Sequence, residues 1–225
     1  MSNLINELKE ICDYEWSKIK RGQFFKLAME MDNPDLYVLA MVQVYHYTKY
    51  NSLNQASAVF PESYKNIGLI HFALKHAMEE LGHENMAAHD LKSLGINEDV
   101  LKSRPLPATA ALSGYLDSVA MKLGVAARLG YSFWAEDSYE HLQPLLEVCK
   151  RRLGLRDDQM TFFIAHAEID AQHAKDVEMA ITKWVTSDID RENIKQVARV
   201  TLNLTGKILE DVAEQYLERQ SNINA

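Results

Sequence analysis

His166-Ala-Glu-Ile-Asp170-Ala-Gln-His173 lies inside a run, from about residue 158 to 185, whose apolar residues recur at helical spacing. On a helix, positions 166, 170 and 173 fall within a wedge of roughly 60°. Two imidazoles and one carboxylate then converge on a point, a donor set for a first-row transition metal. The flanking Phe162, Phe163, Ile164, Ala167, Ile169 and Ala174 are mostly apolar, so the face is half-buried. A buried carboxylate there needs a partner, and a dication supplies one.

The same spacing occurs earlier as His76-Ala-Met-Glu-Glu80-Leu-Gly-His83. With eight His and thirty-two Asp+Glu in 225 residues, chance gives about 0.04 matches to H-x3-[DE]-x2-H. Two matches therefore carry information. Within the second, Glu80 and His83 form E-x-x-H, the helical arrangement from which bundles build dinuclear carboxylate sites. Glu79 and His76 are the alternatives. Glu79 is also within reach of the metal, and an ordinary solvated acid is its other reading. His76 is read as a residue behind the ligands or facing substrate. Two dications ask for one more carboxylate to offset their charge. Glu136 is chosen, because it is the first acid after the apolar run Gly130-Tyr-Ser-Phe-Trp-Ala135. Asp137, Glu140 and His141 read as a solvated helix end. The candidate metal set is Glu80, His83, Glu136, His166, Asp170 and His173.

Outward from these stretches, helix signals dominate. Residues 3–20 place Leu4, Ile5, Leu8, Ile11, Cys12, Trp16 and Ile19 on one stripe, with Tyr14 off it. A short segment covers 24–31, and Asn33-Pro34 starts a helix to about 57. One long helix is expected over 62–94, ended by Gly95. Thr109 is expected to cap a segment running to about 139 that Gly124 and Gly130 interrupt. A helix over 141–153 ends at Gly154, with Lys150, Arg151 and Arg152 in its last turn. Asp157 or Asp158 is expected to start the helix of the opening motif, and Ser187 or Asp188 the last helix, to about 219. This predicts an all-α, single-domain, up-down bundle of seven to eight helices over residues 1–225.

Composition narrows the function. The net charge is −8 and no basic stripe exists, against nucleic-acid binding. No secretory leader and no apolar run of membrane length are read, so a cytoplasmic chain without a membrane partner is expected. Cys12 and Cys149 are far apart and give neither a disulfide framework nor a thiolate metal site. No Gly-rich phosphate loop appears. Tyr45, His46, Tyr131 and Trp134 are candidates for a substrate pocket, although aromatics at such spacing more often form core. His71, His89 and His141 read as surface or packing residues. Lys75 and Arg128 are candidates to clamp a substrate carboxylate, with solvated surface residues the plainer reading.

The chain resembles the heme-oxygenase-like diiron oxidases and oxygenases, iron-containing redox enzymes of a TenA-like structural superfamily. The resemblance rests on Arg21-Gly-Gln-Phe-Phe25, Val42-Gln-Val-Tyr-His-Tyr-Thr-Lys49, Glu79-Glu-Leu-Gly-His-Glu84, Asp90-Leu-Lys-Ser-Leu-Gly95, Leu129-Gly-Tyr-Ser-Phe-Trp-Ala-Glu136 and the opening motif, in order over about residues 21–175. It implies a seven-helix bundle, two Fe(II) ions and O2 as co-substrate. Some members place the first carboxylate seven residues before the ligand His, where this chain has His76; others use E-x-x-H. The implied outcomes are N-oxygenation, desaturation with C–C cleavage, or decarboxylation of an amino-acid-like or fatty-acid substrate, and dimers are common in the family. The competing readings are a TenA-like aminopyrimidine hydrolase, which needs a nucleophilic Cys, a mononuclear enzyme using His166, Asp170 and His173 alone, a true heme oxygenase, and a non-catalytic metal-holding bundle.

Overall fold

The long helix α8 (Pro107–Ala135) is the element against which most others pack. Pro107 occupies its first turn, where a missing N–H costs nothing. A computed structural model describes the backbone of residues 2–62 and 66–223, and their side chains except those of 2, 3, 168–171 and 223. No strand occurs among the described residues.

Ahead of α8 come α1 (Ser2–Ile19), α2 (Gln23–Glu30), α3 (Asp35–Thr48), α4 (Asn51–Ser57), α5 (Ile67–Glu79), α6 (Glu84–Ser93) and the short α7 (Glu98–Leu101). After it come α9 (Ser138–Leu153), α10 (Thr161–Trp184) and α11 (Asp188–Ile223). The stripe on α1 is as its periodicity requires: Leu4, Leu8, Ile11, Cys12, Trp16 and Ile19 are buried, and Tyr14 is exposed. Each such aliphatic side chain contributes about 1.5–3 kcal/mol by leaving water. α8 lies along α11, and also meets α3, α4, α5 and α10. Gly130 makes the α8–α11 approach possible, because a Cβ there would collide with the Ile194 carbonyl.

Gly124 interrupts α8 with φ 79°, a conformation costly for any residue bearing a side chain. The N–H freed after this kink, on Val125, donates to Glu62 Oε1 at 2.8 Å.

Three expected boundaries are corrected. The helix expected over 35–57 is interrupted between Thr48 and Asn51. The helix expected over 62–94 is two helices, broken at Glu80–His83, where Gly82 takes φ 96°. Asp157 and Asp158 form a 3-10 turn instead of opening α10, which begins at Thr161. The cap of α10 comes from a distance. The fully buried Asp90 carboxylate of α6 accepts from the N–H groups of Thr161 and Phe162, both at 2.9 Å, and from the Thr161 hydroxyl at 2.6 Å. A carboxylate at a helix N-terminus satisfies orphan donors and complements the dipole.

Candidate metal centre

Four elements deliver the cluster. His76 stands in the last turn of α5, and Glu80 is that helix's C-cap. His83 is the N-cap of α6, so the E-x-x-H pair spans a helix break and does not share one helix, as its spacing suggested. Glu136 is the C-cap of α8, and His166 and His173 come from α10. Asp170 lies in α10, but its side chain is outside the described residues.

Glu80 sits at the middle. Its Oε1 is 3.2 Å from His173 Nδ1 and its Oε2 is 3.2 Å from His83 Nδ1. Glu136 Oε1 is 3.3 Å from His76 Nε2, and its Oε2 is 3.5 Å from His173 Nδ1. The His76 and His173 rings meet edge to face at 4.6 Å, as do His83 and His166 at 4.9 Å. Two donor groups result: His76, Glu80, Glu136 and His173, and Glu80, His83 and His166, each with its donor atoms within 4.8 Å of one another. Glu80 belongs to both.

Close as these atoms are, they do not satisfy one another. His76 Nε2, Glu80 Oε1, His83 Nδ1 and His173 Nδ1 are buried without a hydrogen-bond partner among the described residues. An orphaned buried polar atom is costly, and four around one point fit a cation that accepts their lone pairs. The donors are nitrogen and oxygen with no thiolate, which suits iron, manganese or zinc.

The remaining ring nitrogens are oriented from behind. His166 Nδ1 donates to the Phe162 carbonyl at 2.6 Å, which leaves Nε2 with its lone pair. His76 Nδ1 lies 2.6 Å from the Gln55 amide, whose Oε1 is itself buried and unpartnered. With that amide turned over, Oε1 accepts from Nδ1–H, and His76 Nε2 becomes a ligand lone pair aimed at the cluster. His76, ranked behind the ligands from sequence, is therefore placed among the donors. Glu79 is half-exposed at the edge, with Oε2 3.7 Å from His173 Nε2 and Oε1 paired to Lys75 at 3.0 Å.

The electrostatics follow from this crowding. His173 is pushed up to about 10 by the close approach of Glu136 and then Glu80, against the downward pull of burial. Burial raises Glu80, but His173 and His83 outweigh it and hold the carboxyl well below its usual range. Glu136 is likewise buried, and His173 and His76 keep it low. The Glu80 contact raises His83, whereas burial lowers His166. Without metal the cluster stores protons on imidazole and charge on carboxylate.

A cavity of about 90 Å³ opens beside Glu80, Glu136 and His166, walled by Tyr47, Tyr131, Trp134 and Phe163 among others. Of the four residues named as pocket candidates, Tyr131 and Trp134 line this cavity. Tyr45 and His46 do not: on α3 the wall is Tyr47, and His46 Nε2 points to Ser103 Oγ at 3.4 Å. A second, almost wholly apolar cavity of about 100 Å³ shares Tyr47, Leu142 and Phe163 with the first. Arg128 is also corrected. It is 2% exposed, not a surface residue, and donates to Asn54 Oδ1, Asn51 Oδ1 and Ser132 Oγ at 2.6–2.9 Å while lying over the Tyr131 ring. Lys75 is at the surface, paired with Glu79 and Asp176. Cys12 and Cys149 are buried, which pushes their thiols up to about 12 and about 11.

Comparison with known proteins agrees with this architecture. A domain of unknown function with a heme oxygenase-like fold from Shewanella denitrificans superposes with a TM-score of 0.90 at 36% identity, covering 96% of this chain and 94% of that one. A TenA homologue from Pseudomonas syringae superposes with a TM-score of 0.78 at 13% identity, covering 94% and 93%. A CADD-like protein of unknown function from Nostoc punctiforme gives 0.72 at 15%, covering 94% and 97%. These last two likenesses speak to the fold alone. None of the curated proteins matches the chain. The family model described as iron-containing redox enzyme matches residues 38–206, a span that holds every donor of the cluster. An all-α bundle of the heme oxygenase-like fold, with a nitrogen- and oxygen-donor cluster at its centre, this chain belongs to the iron-containing redox enzyme family.

Proposed function

We propose that the chain is a non-heme diiron oxidase or oxygenase that uses O2 to oxidise a small substrate. The observation that carries this reading is the position of Glu80, whose two oxygens face two different donor groups. One metal would be held by His76 or Asp170 with Glu136 and His173, the other by His83 and His166, with Glu80 between them. Two Fe(II) ions held there would supply the electrons and the binding positions for O2, chemistry that no side chain here provides. Two carboxylates and Asp170 offset most of a charge of +4.

The rest of the site works through the chain's own groups. Gln55 and the Phe162 carbonyl fix the imidazole tautomers, so that the ligand lone pairs are set before metal arrives. Phe162, Phe163, Trp134 and Leu142 exclude water from the cavity wall. Tyr47 and Tyr131 stay protonated, since burial raises both phenols, Tyr47 to about 12. They can therefore donate hydrogen bonds to a substrate, not accept them as phenolates. The adjoining apolar cavity favours a fatty-acid-like substrate, with its polar head at the cluster and its hydrocarbon part toward Leu145 and Val44, over a small polar amino acid.

The TenA-like hydrolase reading loses its nucleophile. Both thiols are buried and raised away from thiolate, and Cys149 faces the apolar cavity. The test of the proposal is anaerobic Fe(II) loading followed by O2 with and without candidate fatty acids and amino acids. A substrate-dependent increase in O2 consumption, with an oxidised or chain-shortened product, is the expected result. O2 consumption indifferent to every candidate would sink the oxygenase reading.

A further inference from the structure

Three aromatic contacts lead away from the cavity. Tyr131 meets Trp134 edge to face at 5.1 Å, Trp134 meets Trp16 at 6.3 Å, and Trp16 stacks on His141 at 5.0 Å with 19° between the rings. The inner end lines the cavity beside Glu136, from which Trp134 is two residues removed. The outer end, His141, is half-buried and takes a hydrogen bond from the exposed Lys20. Contacts of this sort often serve packing alone. Trp16 is different. Its Nε1–H is buried with no acceptor among the described residues, a penalty that phenylalanine at the same place would avoid.

We propose that Trp134 and Trp16 form a one-electron relay between the cluster and the surface at His141; the proposal rests on the metal reading above. Each hop moves one electron and no proton. While reaction with O2 holds the metal site above the ferric level, Trp134 gives it an electron and becomes an indole radical cation. Trp16 then reduces Trp134, and an external one-electron reductant such as ascorbate reduces Trp16 from the His141 side. The protons stay because they have nowhere to go. Trp16 N–H has no acceptor among the described residues, and Trp134 N–H is held by Thr201 Oγ1 at 2.8 Å, a hydroxyl that already donates to the Val197 carbonyl. Retained protons make each hop reversible, which a relay needs. The third tryptophan, Trp184, meets Phe72, which in turn stacks on His76; the phenyl ring is far harder to oxidise than an indole, and so Trp184 serves as the control.

The test has two arms. In the first, iron stoichiometry is measured, the Fe(II)-loaded protein is mixed with O2 in the presence of ascorbate, and the rate of ascorbate oxidation during the reaction is followed. Trp16→Phe and Trp134→Phe are expected to slow that ascorbate oxidation on the order of tenfold, about 1.4 kcal/mol on the barrier, with iron content retained and Trp184→Phe unaffected. In the second arm, iron-free Trp184→Phe protein is oxidised by photoexcited ruthenium tris-bipyridine with a sacrificial quencher, and the indole radical is read by electron paramagnetic resonance. Signal is expected when Trp16 is present, with or without Trp134, and is expected to be lost in Trp16→Phe, because Trp134 is then cut off from the oxidant. Failure to bind iron would overturn the reading of the site, and the iron-free arm would still decide the relay. Unchanged ascorbate oxidation in both variants, or Trp134 oxidised equally fast without Trp16, would overturn the relay itself.

Discussion

His173 is the imidazole in contact with both central glutamates, and it stands in both the spacing argument and the geometry. His173→Ala is expected to reduce bound iron to below one per chain while far-ultraviolet circular dichroism keeps its helical spectrum; retained iron stoichiometry would refute the site. Gln55 acts one step behind. Gln55→Leu is expected to weaken metal binding by about 10–100-fold through loss of the tautomer that presents His76 Nε2, read by competition with a chelator. The pH dependence of the metal-free protein follows from two opposed groups. His173 is raised from 6.5 to about 10, so its contribution to stability is complete below 6.5 and is lost as pH rises toward 10. Glu80 is lowered from 4.5, so its contribution is complete above 4.5 and is lost as pH falls below that value. These contacts therefore support the metal-free fold best between 4.5 and 6.5. Melting temperatures across pH should peak there, whereas iron affinity should tighten as pH rises, because metal must displace the His173 proton.

At the scale of elements, the α10 cap decides whether His166 and His173 arrive in register. Asp90→Ala removes three hydrogen bonds from the first turn of α10 and leaves the Phe162 N–H buried without an acceptor. A loss of about 2 kcal/mol or more is expected from a cap of this kind, measured by chemical denaturation, together with weaker iron binding. An unchanged midpoint would show that the cap is not what holds α10. This scale also shows what the sequence made legible. The H-x3-D-x2-H spacing located His166 and His173 because an i, i+4, i+7 pattern is local. The break between Glu80 and His83 was missed, although Gly82 was its signal: a glycine after Leu81 permits the positive φ that turns α5 into α6. Asp90 could not be found as a cap, since its partners lie some seventy residues on, and nothing in its neighbourhood records them.

Over the whole molecule, the fold was readable because periodicity, caps and short connections all pointed to a helical bundle. Side-chain burial was less so. Arg128 looked like a surface cation, and only the convergence of α4 and α8 supplies the asparagines and the serine that satisfy it. His76 looked secondary, because its place among the donors depends on α8 bringing Glu136 across the bundle. A diiron enzyme of the proposed kind holds two metals per chain, with Glu80 serving both donor groups. The most direct test is an anaerobic Fe(II) titration of the metal-free protein with iron counted per chain, repeated on Glu80→Ala. Two ions per chain, with both weakened by Glu80→Ala, is the predicted result; saturation at one ion, or loss of only one in the variant, would contradict it.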